Sequence, residues 1–222
     1  MWSACWVSVQ LRRALRLGFR RTLVCSQEHQ LLRFERKARA MARRIFVSFH
    51  QADELEVAQL QTSLSPHFDE VRTIGAKSLG DELDDRIDSD DSDYVMRRIR
   101  ERYIAGTTCT IVAIGQCTWA RRYVDWEIAA TMRNNPSDPR GGIFAMQLPS
   151  AQRNGHQRLP KRLASNVERD SNGNQSGYGR FFMPLSPSSV QSEVEAAIRR
   201  AAILEPAAGS LSGLRRRSAT CP

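Results

Sequence analysis

Glu127 is the residue of this 222-residue chain best placed to act on a ligand. It lies in Tyr123-Val124-Asp125-Trp126-Glu127-Ile128, on a helix predicted to follow the apolar run Cys109-Thr110-Ile111-Val112-Ala113-Ile114. One helical turn to either side stand Tyr123, Val124, Ala130 and Thr131, so no i,i+4 cation can neutralise it. A preorganised, unneutralised carboxylate among rings can stabilise positive charge developing on a bound molecule. The competing reading is a solvated glutamate on a helix face.

Other chemistries fit less well. The acidic stretch from Asp81 to Asp93 invites a calcium reading, but an EF-hand loop counted from Asp88 needs Gly at its sixth position and Glu at its twelfth. Asp93 and Ile99 stand there instead, so no metal is expected and the stretch reads as a solvated loop. Cys5, Cys25, Cys109, Cys117 and Cys221 are odd in number and scattered, with no Cys-x-x-Cys pair. That argues against a disulfide framework or zinc site and for a reducing, cytoplasmic setting. Cys109 reads as a core residue; Cys117 lacks a neighbouring His that would make it a nucleophile.

The elements that must position Glu127 alternate between strand and helix. Ile45–Phe49 reads as a first strand, followed by a helix opened by a capping box of Asp53 and Glu56, with a stripe of Val57, Leu60 and Leu64. A short strand at 68–73 follows, then a helix capped by Ser92 or Asp93. The continuous apolar run at 108–114 suits a central parallel strand covered on both faces. Thr118 is expected to cap the helix of Glu127, whose core stripe is Val124, Ile128 and Met132. Ile143–Leu148 forms a fourth strand, with a short further strand near 180–183. Ser188 or Ser189 caps a last helix striped by Val190, Val194 and Ile198. This pattern predicts an α/β, flavodoxin-like, doubly wound parallel sheet of four to five strands with helices on both faces. A phosphoacceptor receiver shares that topology but needs Asp at the end of the third strand, where Ile114-Gly115 stand. No Gly-rich phosphate loop occurs.

The net charge of +9 is confined to the ends. Nine Arg or Lys face only Glu28 and Glu35 in residues 1–40, and Arg215, Arg216 and Arg217 lie near the other end, leaving a body close to neutral. General nucleic-acid binding is therefore not expected. The first uncharged run is far too short for a bilayer span and precedes its arginines, unlike a secretory signal. The expected organisation is an extension over 1–40, disordered or outside the working chain, a domain over 41–205 and a disordered basic tail over 206–222.

Three segments together resemble a known family: Phe46-Val47-Ser48-Phe49-His50, Ser78-Leu79-Gly80-Asp81, and Thr110–Gly115 followed by Tyr123–Ile128. They look like the TIR-like proteins of Thoeris anti-phage defence, over roughly residues 44–148 and more weakly beyond. The aromatic-Val-x-x-Glu-Ile pattern also resembles the catalytic helix of NAD-cleaving TIR domains, although Tyr123 stands where many relatives have Trp. The resemblance implies a glycohydrolase or ADP-ribosyl cyclase that takes NAD as substrate and needs no further cofactor. It implies Glu127 as the catalytic residue, with Ser48, Phe49, His50, Asp81 and Tyr123 lining the substrate site and Asp84 nearby in the assembly loop. Phe46 and Trp126 read instead as packing residues. A cyclic ADP-ribose-type signal, self-association on activation and a downstream effector are implied as well. The alternative is a non-catalytic TIR-like interaction module presenting Trp126 and the acidic loop.

Overall fold

The computed structural model describes residues 43–73, 92–134, 138–184 and 186–221. The expectations for residues 1–40 and for Asp81 and Asp84 lie outside them. Three central strands carry the architecture: β1 (Arg44–Ser48), β3 (Cys109–Ile114) and β4 (Gly142–Gln147). Every residue of β3 and β4 and the last four of β1 are buried, because helices cover both faces of the sheet. At the edges lie β2 (Glu70–Thr73) and β5 (Phe181–Phe182). All five pair in parallel in the order β2-β1-β3-β4-β5, the flavodoxin-like arrangement. The order reverses between β1 and β3, which opens a crevice at their carboxyl ends.

Strand alternation sorts the core into two layers. Ile45, Val47, Ile111, Ala113, Phe144 and Met146 face α1 (Glu54–Leu64) and α6 (Pro187–Ile203). On the other face, Val112, Ile114, Ile143 and Ala145 pack against Val124, Ile128 and Met132 of α3 (Arg122–Met132). Phe46 meets Trp126, Ala129 and Ala130 of α3 and Ile99 of α2 (Ser92–Ile99), which runs into a wider turn at Arg100–Ile104. Two short helices, α4 (Pro149–Arg153) and α5 (Lys161–Ala164), follow β4. Gly142 is required where β4 passes α6: a Cβ there would lie 2.6 Å from the backbone of Ala197. Among the described residues, no helix is long and apolar enough to cross a membrane.

Three caps differ from expectation. Asp53 makes no side-chain cap bond, and Glu56 instead accepts from the Ser150 amide and hydroxyl, at 3.1 and 2.8 Å, at the start of α4. Thr118 opens a 3-10 turn (Thr118–Ala120), not α3, and its hydroxyl accepts from the Gly115 amide at 2.9 Å. The capping box of α6 is formed by Ser186 and Ser189, with Ser186 as the N-cap, two or three residues before the cap read from the sequence. Glu56 alone of these exchanges its local role for a distant partner; the Thr118–Gly115 and Ser186–Ser189 bonds each span three residues.

The expectation of a disordered tail does not hold for its described residues, 206–221. They run as a strap over the start of α3. Trp126 Nε1 donates to Arg215 O at 2.8 Å, and the Ala219 amide donates to Ala120 O at 2.8 Å. At its end Cys221 forms a disulfide with Cys117, which corrects the reading of scattered free cysteines and of Cys117 as a thiol. Packing brings together two cysteines that sequence spacing holds 104 positions apart, while Cys109 stays free and buried in β3 as expected. Closing so long a loop restricts the unfolded chain. Cys221→Ser should therefore cost the oxidised protein about 2–4 kcal/mol in denaturant unfolding. Unchanged unfolding would show that the bond does not form in solution.

Candidate active site

The side chain of Glu127 is not on a solvated helix face. It is 4% exposed, turned toward the sheet from the middle of α3. Its Oε2 accepts a 2.5 Å hydrogen bond from the Ser48 hydroxyl at the carboxyl end of β1. Strand alternation explains the meeting. With Ile45 and Val47 committed to the α1–α6 layer, Phe46 and Ser48 must point at α3. The helix is tied in place at the same level, since Thr131 Oγ1 donates to Glu127 O at 2.9 Å and lies 2.7 Å from Thr110 Oγ1 on β3.

Burial dominates the electrostatics. Loss of water pushes the Glu127 carboxyl up to about 8, and the Ser48 bond, which favours the ionised form, only partly offsets it. A carboxyl raised that far inside a fold marks a functional candidate. It is poised so that a nearby cation would draw it into the charged state.

The structure distributes the other sequence candidates around this centre. Ser48 is 1% exposed and spends its hydroxyl on Glu127. Tyr123, one turn before Glu127, is half-buried and stacks edge-on against Trp126 with ring centroids 5.3 Å apart. The Arg122 guanidinium lies over the Tyr123 ring and donates to its hydroxyl at 2.7 Å. Phe49 packs against the opposite layer, the cluster that contains Val47, Val57 and Leu64, and is not brought to Glu127. His50 opens the turn before α1, its Nδ1 accepting from the Ala52 amide at 3.4 Å. Burial and the nearby Arg121 lower its pKa, favouring the neutral ring. Phe46 and Trp126 are core residues, 1% and 6% exposed, so Trp126 offers no docking surface of the kind an interaction module would need.

At the switch point between β1 and β3 lies a cleft of about 190 Å³, lined by His50, Asp53, Gln116, Cys117, Asn154 and His156 among others. Asp53 comes so close to the end of β3 that a Cβ on Gly115 would sit 2.1 Å from its carboxylate. Burial and Glu56 raise the Asp53 pKa, against the pull of Thr118 and Arg121. Glu127 is not among the residues lining this cleft, so the two features are neighbours at one end of the sheet rather than a single open pocket. Among the described residues, no cluster of His, Cys, Asp and Glu could hold a metal ion.

Sequence reasoning missed the next residue pair altogether. Asp125 is held by both arms of the Arg162 guanidinium, at 3.0 and 2.9 Å, and both side chains are buried. The same guanidinium donates to the carbonyls of Ser210, Ser212 and Gly213, while the Arg215 amide donates to Asp125 at 3.1 Å. This knot ties α3, α5 and the strap together two residues from Glu127. No local pattern could have shown it, since Arg162 is 37 positions from Asp125.

Residues 46–153, from β1 to the end of α4, match the family of Thoeris protein ThsB, TIR-like domain. This segment is a ThsB-type TIR-like domain. Among curated proteins, none matches the chain. The matched stretch of the TIR-like domain contains Ser48, His50, Tyr123 and Glu127, whereas α5, β5, α6 and the strap lie beyond it.

Two measurements check the site's electrostatics. In the unfolded chain Glu127 ionises near 4.5, and in the fold near 8. Between those values only the unfolded state gives up its proton, so stability falls as pH rises, by at most about 1.4 kcal/mol per pH unit. Glu127→Gln should remove that slope and leave the protein more stable than wild type above pH 8. A parallel pH–stability curve for the two proteins would contradict the burial of a carboxyl there. Ser48→Ala deletes the bond that favours the ionised form. Side-chain carbon NMR should then place the Glu127 titration above the wild-type midpoint, and an unmoved midpoint would mean the hydroxyl does not hold the carboxylate.

Proposed function

We propose that this TIR-like domain cleaves the nicotinamide–ribose bond of NAD, with Glu127 stabilising the ribosyl cation. The observation that carries the reading is a buried, raised carboxyl beside the carboxyl end of β1, within the segment that matches the ThsB family. The nicotinamide ring of NAD is cationic, and its approach favours the ionised form of Glu127, so binding should release a proton. The carbon–nitrogen bond then breaks with its electron pair leaving on nicotinamide, which departs neutral. The ribosyl carbon is left with oxocarbenium character, as in glycoside hydrolysis. A fixed carboxylate opposes that charge without having to reorganise. Capture by water gives ADP-ribose; capture by the adenine of the same molecule gives a cyclic product. Exclusion of water from the site favours the second.

On this reading the product is a cyclic ADP-ribose-type signal for a partner effector, and the chain works in the cytoplasm without a further cofactor. A reducing cytoplasm would open the Cys117–Cys221 bond and leave the strap on its hydrogen bonds. A carboxylate only 4% exposed cannot meet a sugar without rearrangement, which supports activation by self-association or a trigger.

The test compares wild type and Glu127→Gln for nicotinamide release and cyclic product by chromatography, across a range of protein concentrations. Turnover should fall about 10²–10³-fold or more in the variant, with the fold retained. Equal release from both proteins would remove Glu127 from the chemistry. Absence of release from wild type at every concentration and in the presence of infected-cell extract would remove the reaction.

A further inference from the structure

A second cavity, of about 470 Å³, lies between α5 and the C-terminal strap, far larger than the cleft at the switch point. It falls in the range of small-molecule sites. Asp125, Lys161, Arg162, Ser210, Gly213 and Arg215 line it among others, so three cations face one carboxylate. That carboxylate is already consumed: Asp125 accepts both arms of Arg162 and the Arg215 amide. Arg162 is consumed too, its donors divided between Asp125 and three carbonyls of the strap. The surplus positive charge therefore rests on Lys161 and Arg215. The Lys161 ammonium is exposed and has no ion pair among the described residues, and Arg215 commits one nitrogen to Trp119 O at 3.0 Å.

Ser210 adds an independent sign. It is 6% exposed, and its hydroxyl is buried without a hydrogen-bond partner. Such a group costs about 1–3 kcal/mol unless something satisfies it. Ser210 lines this cavity together with Lys161 and Arg215. We infer that this cavity binds a phosphate-bearing small molecule, with the Lys161 ammonium, the Arg215 guanidinium and the Ser210 hydroxyl around the phosphate. A tetrahedral oxyanion accepts donors from several directions at once, which suits a cavity whose lining draws an ammonium from α5 and a hydroxyl and a guanidinium from the strap. The site is separate from the Glu127 centre but mechanically joined to it, because Arg215 also holds Trp126 through its carbonyl and Asp125 through its amide. An anion drawing on Arg215 pulls on the first turn of α3. The assignment does not rest on NAD cleavage.

The experiment titrates the full chain with inorganic phosphate and, separately, with AMP, following backbone amides and the Trp126 indole N–H by NMR. Saturable shifts should appear at Ser210 and Gly213 and at the Trp126 indole. Lys161→Ala, which alters only an exposed side chain, should weaken binding about tenfold or more. Ser210→Ala should weaken it several-fold while leaving the ligand-free protein no less stable than wild type, because the unsatisfied hydroxyl is removed. Tighter binding of AMP than of phosphate would identify a nucleotide as the ligand, and equal binding a simple phosphate ester or the free ion. Absence of saturable shifts with both probes would overturn the inference, as would wild-type affinity in both variants. It is equally overturned by shifts confined to the switch-point cleft.

Discussion

A carboxyl group taken out of water and held by a single hydroxyl governs the rest of this domain. The Ser48–Glu127 bond joins the end of a central strand to the middle of a helix on the adjoining layer, across 79 positions of sequence. The fold favours the protonated group, whereas stabilising a cation needs the ionised one. If Glu127 acts as proposed, folding and chemistry ask opposite things of one side chain, a conflict natural proteins tolerate mainly at sites of function. The surroundings fit that conflict. Thr110 and Thr131 lock the helix to β3, and Phe46, Trp126 and Ala130 close the space beside it, so that Glu127 has little freedom to escape toward solvent.

Beyond that centre, the domain uses one buried ion pair as a junction. Asp125 and Arg162 do not merely neutralise each other, since the guanidinium gathers three strap carbonyls and the carboxylate takes a strap amide. Removing one partner from such a pair typically costs about 3–5 kcal/mol, because the other charge is left buried. The strap thereby becomes part of the architecture around α3, although it lies outside the segment that defines the family.

The fold was legible because its signals are local. The continuous apolar runs at 109–114 and 143–147 marked strands covered on both sides, and the stripes Val124–Ile128–Met132 and Val190–Val194 marked helices packed on them. Glu127 itself stood out by the absence of an i,i+4 cation. What could not be read was every interaction that depends on distant segments meeting. The burial of Glu127 follows from the parity of β1, which sends Ser48 rather than Val47 toward α3. The capping role of Glu56 went to Ser150, 94 residues away. The tail looked disordered from its glycines, serines and arginines, yet its carbonyls and amides are what Arg162, Asp125 and Trp126 bind. Composition describes side chains, and the strap is held largely through its backbone.

Among the described residues the sheet ends abruptly on both sides. β2 is four residues long and half-buried, and β5 contributes only Phe181 and Phe182. Short edge strands make poor templates for addition of a further strand from another molecule. If copies of this domain assemble, these two described edges offer little to zip together, which favours helices and loops as joining surfaces. Such contacts form and dissolve by rigid docking, without the strand exchange that turns assembly into aggregation.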